Sequence, residues 1–165
     1  MAQKELVITR ELKGPRELVF KVWTEAKHLA KWWGPKGFEM GVTKLDFRPG
    51  GIFHYSMKSP EGFVMWGRFD YREIVAPEKI VFTNSFSDED GNITRAPFSA
   101  TWPLKVLNNV TLTENGNKTI LTISGYPENA TDEECSTFEG MHASMQQGFG
   151  GTFDQLEVYL AEVGE

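Results

Sequence analysis

Along the chain the spacing of apolar residues switches between a period of two and a period between three and four. Leu6, Ile8 and Leu12 interleave with Val7, Thr9 and Glu11, which predicts an opening strand ended by Gly14-Pro15. Pro15 suits the start of a helix, where its missing N–H would be unpaired anyway, and Glu17 adds negative charge to the first turn. Leu18, Val22, Ala26, Leu29 and Trp33 then recur at helical steps, widened on one side by Val19 and Trp23. Trp32 falls off that stripe. Neighbouring helical residues point about 100° apart, so two adjacent indoles need separate environments, and a break near Ala26-Lys27-His28 into two short helices would provide them. Trp33 is assigned to the core, and Trp32 is expected to be exposed.

From Phe38 the period is two. Phe38, Met40 and Val42 share a parity that Leu45 and Phe47 reverse, which predicts a β-bulge near Thr43-Lys44. Turns follow at Arg48-Pro49-Gly50-Gly51, Ser59-Pro60-Glu61-Gly62 and Pro77-Glu78. The strand between the first two places Phe53, Tyr55 and Met57 on one face and Ile52, His54 and Ser56 on the other. A long strand from Phe63 to Val75 carries Trp66, Phe69, Tyr71 and Ile74, and the next alternates Ile80, Phe82 and Phe86 with Val81, Thr83 and Ser85. Two more strands, Leu107 to Thr113 and Thr119 to Tyr126, join through Glu114-Asn115-Gly116-Asn117, a strong hairpin signal. Short turns between consecutive strands imply an antiparallel meander. Thr131 then offers an N-cap, and Phe138, Met141, Met145, Phe149, Phe153, Leu156, Leu160 and Val163 predict one long C-terminal helix.

Composition narrows the class. The 165 residues suit a single domain, residues 1–165, with a sizeable core. A formal net charge of -6 with scattered Lys and Arg excludes a phosphate-tracking nucleic-acid binder. No segment has the roughly 20 apolar residues of a membrane span, and the N-terminus lacks the apolar core of a signal peptide, so a cytoplasmic location is expected. In that compartment the Asn-x-Ser/Thr triplets at Asn92, Asn109, Asn117 and Asn129 are coincidence, and the lone Cys135 is a spectator thiol.

The order of strand, two short helices, antiparallel meander and long C-terminal helix resembles the α+β helix-grip layout of START and Bet v 1-like proteins. The segments ITRELKGPRELVFKVWTEAKHLAKWWGP, FRPGGIFHYSM and GRFDYREIVAPEKIVF are similar to the family related to the C-terminal domain of the activator of the 90-kDa heat-shock protein ATPase. The resemblance covers nearly the whole chain. It implies a curved sheet wrapped around the last helix, with a cavity between them that holds an apolar ligand in many members of the wider superfamily. It implies no particular reaction: some members resemble cyclases or hydroxylase subunits, and others bind lipids, hormones or proteins. The eukaryotic activator adds an N-terminal domain, for which this chain is not expected to have room.

The cavity expected from that resemblance would be lined by Tyr55, Met57, Trp66 and Phe82 from the sheet and Met141, Met145 and Phe149 from the helix, with Arg68, Asn84 and Gln146 as polar points. Flexible Met side chains tolerate varied guests. The competing reading is that these residues simply fill the core, each large side chain contributing roughly 1.5–3 kcal/mol by burial. Trp32 would guard the cavity mouth or meet a partner protein.

Other chemistry finds little support. His54 and His142 would make a metal or proton-relay pair only if both faced the cavity, and alternation turns His54 the other way. His28 is expected at the surface. No nucleophile elbow, Walker sequence or H-E-x-x-H occurs. Gly148-Phe149-Gly150-Gly151 interrupts a helical stripe, which suggests a kink, close backbone packing or room at a cavity mouth. Asp88-Glu89-Asp90-Gly91-Asn92 lacks the closing ligands of a calcium loop and reads as a solvated tip. No cofactor or metal is expected, and no catalytic residue can be assigned. Binding of an apolar small molecule leads the functional readings, ahead of a chaperone-cofactor or stress-response interaction module and of a cyclase- or hydrolase-like enzyme. A monomer and a homodimer are both compatible with the sequence.

Overall fold

The computed structural model describes residues 5–34, 37–97 and 99–163. Strand β1 (Leu6–Lys13) leads into α1 (Arg16–Val22) and α2 (Ala26–Trp32). The meander follows as β2 (Glu39–Leu45), β3 (Ile52–Lys58), β4 (Val64–Val75), β5 (Lys79–Ser87), the two-residue β6 (Ile93–Thr94), β7 (Val106–Asn115) and β8 (Lys118–Pro127), and the chain ends in α3 (Asp132–Gly140) and α4 (His142–Val163). The strands form one antiparallel sheet in the order β1-β8-β7-β5-β4-β3-β2, with β6 on β5. This is the α+β arrangement expected, with the long helix α4 packed on the sheet.

Alternation sets the two faces. Phe53, Tyr55, Phe69, Tyr71, Phe82, Val110, Leu112, Leu121 and Ile123 point inward and are buried with Phe153, Leu156 and Leu160 of α4. Phe69 stacks on Phe82 at 4.1 Å between ring centroids, so the middle of the core is aromatic. The register between β2 and β3 shifts between Val42 and Lys44, at the bulge the sequence predicts. A second shift, between Tyr71 and Glu73 in β4, leaves no comparable sign in the sequence.

Three helical expectations change. The break between α1 and α2 falls at residues 23–25, earlier than Ala26: Trp23 caps α1, Thr24 Oγ1 donates to the Lys21 carbonyl, and Glu25 opens α2. The C-terminal helix is two helices. A reciprocal capping box between Thr131 and Glu134 starts α3, which stops at Met141 before α4 begins. Trp32 is not exposed; it is 1 % accessible. The earlier break folds α2 back on α1, so the Trp32 indole meets Trp23 edge-on at 4.8 Å and its Nε1–H donates to the Val22 carbonyl at 3.0 Å. Trp33 has left the helix, with φ −73° and ψ 140°, so the helical offset between the two indoles does not apply to it.

His28 is likewise not at the surface. It is buried beneath α4, where its Nδ1 shares a 2.5 Å hydrogen bond with the Tyr159 hydroxyl. Burial lowers its pKa from the ordinary 6.5, with the nearby Glu25 opposing.

Two outcomes follow. Trp32→Phe strands the buried Val22 carbonyl and leaves a void, so denaturant unfolding should show a loss of about 2–4 kcal/mol. For His28, protonation is harder in the folded than in the unfolded chain. Its contribution is therefore intact above pH 6.5 and falls as the pH drops below that value. Stability measured across mildly acidic pH should show this slope in the natural chain, and His28→Gln should flatten it.

Candidate functional site

A cavity of about 320 Å³ lies between the inner face of the sheet and the first half of α4. Its sheet wall comes from inward positions of five strands, among them Tyr55 and Met57 of β3, Gly67 of β4, Phe82, Asn84 and Phe86 of β5, Val106 and Asn108 of β7, and Ile123 of β8. Met141, Ser144, Met145, Gly148 and Phe149 face it from the helical side, and Trp33, Gly34 and Trp102 close its edges. Among the described residues, no Asp, Glu, Lys, Arg or His lines it.

Two glycines shape the polar part of this wall. Gly67 is the cross-strand partner of Tyr55, and a Cβ there would lie 2.6 Å from the Tyr55 hydroxyl oxygen. Gly125 is the partner of Asn108, and its Cβ would lie 2.8 Å from Asn108 Oδ1. In each pair the larger side chain lies down across a strand position that has no side chain of its own. The Asn84 amide nitrogen donates to the Tyr55 hydroxyl at 3.1 Å and to the Arg68 carbonyl at 3.2 Å. Burial pushes the Tyr55 pKa up, while hydrogen bonding from Asn84 and Trp33 opposes the rise, so the side chain remains a neutral phenol.

Of the residues expected at the cavity, Tyr55, Met57, Phe82, Asn84, Met141, Met145 and Phe149 line it. Trp66 and Arg68 do not. They share the β4 parity opposite to Phe69 and Tyr71, with Trp66 paired to Ser56 and Arg68 to His54 on the outer face. There Trp66 stacks on His54 at 5.3 Å, and Arg68 binds Asp70 and the Gly91 carbonyl at 2.7 Å. Gln146 is exposed, turned about 100° from Met145 around the helix. Trp32 is too deeply buried to guard a mouth or meet a partner. Asn108 and Gly67 escaped the sequence reading. The available signal was a polar or missing side chain at an inward position of an otherwise apolar strand.

His54 points outward as alternation requires, yet it is buried, because the 88–92 turn folds over it and the Asp88 carbonyl lies 3.1 Å from its Nε2. That turn is tied internally as well: the Asp88 carboxylate accepts from the Asp90 and Asn92 backbone N–H groups at 2.9 Å, which lowers its pKa. His142 lies edge-on against Phe138 on the helical side. Among the described residues no group of three or more His, Cys, Asp and Glu side chains is placed to hold a metal ion. No described helix is long and apolar enough to cross a membrane.

The fold recurs in solved structures. A solution structure of an Arthrobacter aurescens protein matches with a TM-score of 0.80 at 25% identity, over 96% of this chain and 86% of that one. A crystal structure of a Mycobacterium smegmatis protein matches with a TM-score of 0.78 at 26% identity, over 97% of this chain and 96% of the other. The AHSA1 protein of Silicibacter pomeroyi, 19% identical, shares the fold with a TM-score of 0.73 over 96% and 98% of the two chains. No curated protein matches. The family model described as Activator of Hsp90 ATPase homolog 1-like protein matches residues 13–161, and the chain belongs to that family.

Proposed function

We propose that the protein binds an apolar small molecule in the cavity between sheet and α4 and performs no chemistry on it. The observation that carries this reading is the space itself: about 320 Å³ bounded largely by aromatic and Met side chains, with no charged group on the wall among the described residues. Among the described lining residues Tyr55 is the one titratable side chain, and its raised pKa makes it a poor base partner at neutral pH. The competing interaction-module reading needs an exposed Trp32 or free strand edges as the contact, and the burial of that indole removes the first of these.

The helical wall is built to yield. The buried residues of α4, Thr152, Phe153, Leu156 and Leu160, all lie at or beyond its midpoint. The first half carries Gly148, Gly150 and Gly151, and a Cβ at any of these would meet nothing within 4 Å. Close packing therefore does not explain the glycines, and α4 runs through them as a continuous helix. Each weakens the helix by about 0.8–1.0 kcal/mol relative to Ala, which favours local opening where a guest would enter.

Gly150→Ala should accordingly raise stability by up to about 1 kcal/mol in denaturant titration, with no steric cost to offset the gain. Ligand binding is checked by native mass spectrometry of freshly purified protein and by thermal shift with a panel of fatty acids, sterols and polyketides. A bound mass, or stabilisation by an apolar guest, is the expected result. Gly148→Leu, which extends a side chain from the cavity wall, should abolish that stabilisation while leaving the fold intact. A bare mass with no stabilisation by any compound would show that the residues serve only as core.

A further inference from the structure

We infer that the cavity selects a neutral, mainly apolar molecule carrying a hydrogen-bond-accepting oxygen, such as a ketone or ester carbonyl, and that Tyr55 is the residue that recognises this oxygen. The inference rests on the reading of the cavity as a binding site and adds the class of guest.

Hydrogen-bond direction supplies the first step. The Arg68 carbonyl is solely an acceptor, so the Asn84 side-chain atom bonded to it is the amide nitrogen. The same nitrogen reaches the Tyr55 oxygen, which therefore accepts. The Tyr55 proton is left to donate elsewhere, and among the described residues it forms no hydrogen bond to an acceptor. Tyr55 is only 3% accessible, and a buried hydroxyl that does not donate is energetically costly. An acceptor oxygen on the guest satisfies it.

The second step concerns charge. A carboxylate is also an acceptor, but among the described residues the lining offers no cation to neutralise it. Removing a carboxylate from water into this wall without a counter-charge is far more unfavourable than burying a carbonyl. Tyr55 stays in place because Gly67 leaves space for its hydroxyl and Asn84 holds the oxygen. Tyr55 thus acts as a specificity-determining donor on an otherwise apolar surface.

Three probes of similar shape separate the terms: benzophenone, diphenylmethane and diphenylacetate, titrated calorimetrically at mildly alkaline pH into the natural chain and into Tyr55→Phe. Benzophenone should bind most tightly and diphenylacetate most weakly. Tyr55→Phe should weaken benzophenone about tenfold and leave diphenylmethane unchanged. Diphenylacetate binding as tightly as benzophenone, or an equal loss for both neutral probes in the variant, would overturn the inference while leaving the cavity a binding site. Failure of all three probes to bind the natural chain would overturn both. Should the variant unfold, carbonyl-labelled benzophenone bound to the natural protein provides the same decision. Its carbonyl resonance moves downfield from the hydrocarbon-solvent position if the hydroxyl donates, and an unmoved resonance refutes the assignment.

Discussion

The Gly34 carbonyl is where the helical layer and the sheet are locked together. Thr152 Oγ1 donates to it at 3.0 Å and Gln155 Nε2 at 2.9 Å, so two side chains from one turn of α4 hold the end of the Trp32-Trp33-Gly34 segment. Gly34 adopts φ 106°, a conformation that L side chains rarely take, and this lets the chain turn immediately after the tryptophans. With the segment fixed, the Trp33 indole lies 5.1 Å from Phe69 and 6.3 Å from Phe149, between sheet and helix. Beyond this anchor the second half of α4 is packed tightly, and before it the helix stands away from the sheet. The cavity occupies that standoff.

The sheet contributes a complementary device. Where Tyr55 and Asn108 would otherwise stand up into the space, the glycines opposite let them lie flat. Gly41 does the same for Ser56 on the outer face, where a Cβ would sit 2.7 Å from the hydroxyl. The outer face solves a different problem. His54 and Arg68 are covered there by the 88–92 turn, which supplies backbone carbonyls as their hydrogen-bond partners.

How much of this could be read from the sequence depended on the range of the interaction involved. Strand faces, the bulge at Thr43 and the antiparallel order follow from alternation and turn chemistry, both local properties. Trp66 and Arg68 are also legible, since counting back by twos from Phe69 reaches Gly67 and Met65 and leaves both on the far face; aromatic or polar character is no substitute for parity. Gln146 fails for the corresponding reason on a helix. Trp32 and His28 were different. Their burial depends on a break at Thr24, where neither Gly nor Pro marks the site, and on α4 arriving from the other end of the chain to meet Tyr159. The volume between α4 and the sheet depends on the same long-range docking, so a list of apolar residues could not separate a lined cavity from a filled core.

The pairing of β1 with β8 also has a kinetic meaning. Leu6 lies opposite Gly125 and Lys13 opposite Lys118, so the first strand can take its place only after nearly all the others exist. During synthesis β2 to β5 can zip through short turns, whereas β1 must wait for β8 and the sheet's inner face must wait for α4. Such long-range closure belongs to slowly folding topologies. Until it happens, the nascent chain presents an aromatic sheet face and an unpaired β8 edge, the surfaces a cell's holding factors recognise.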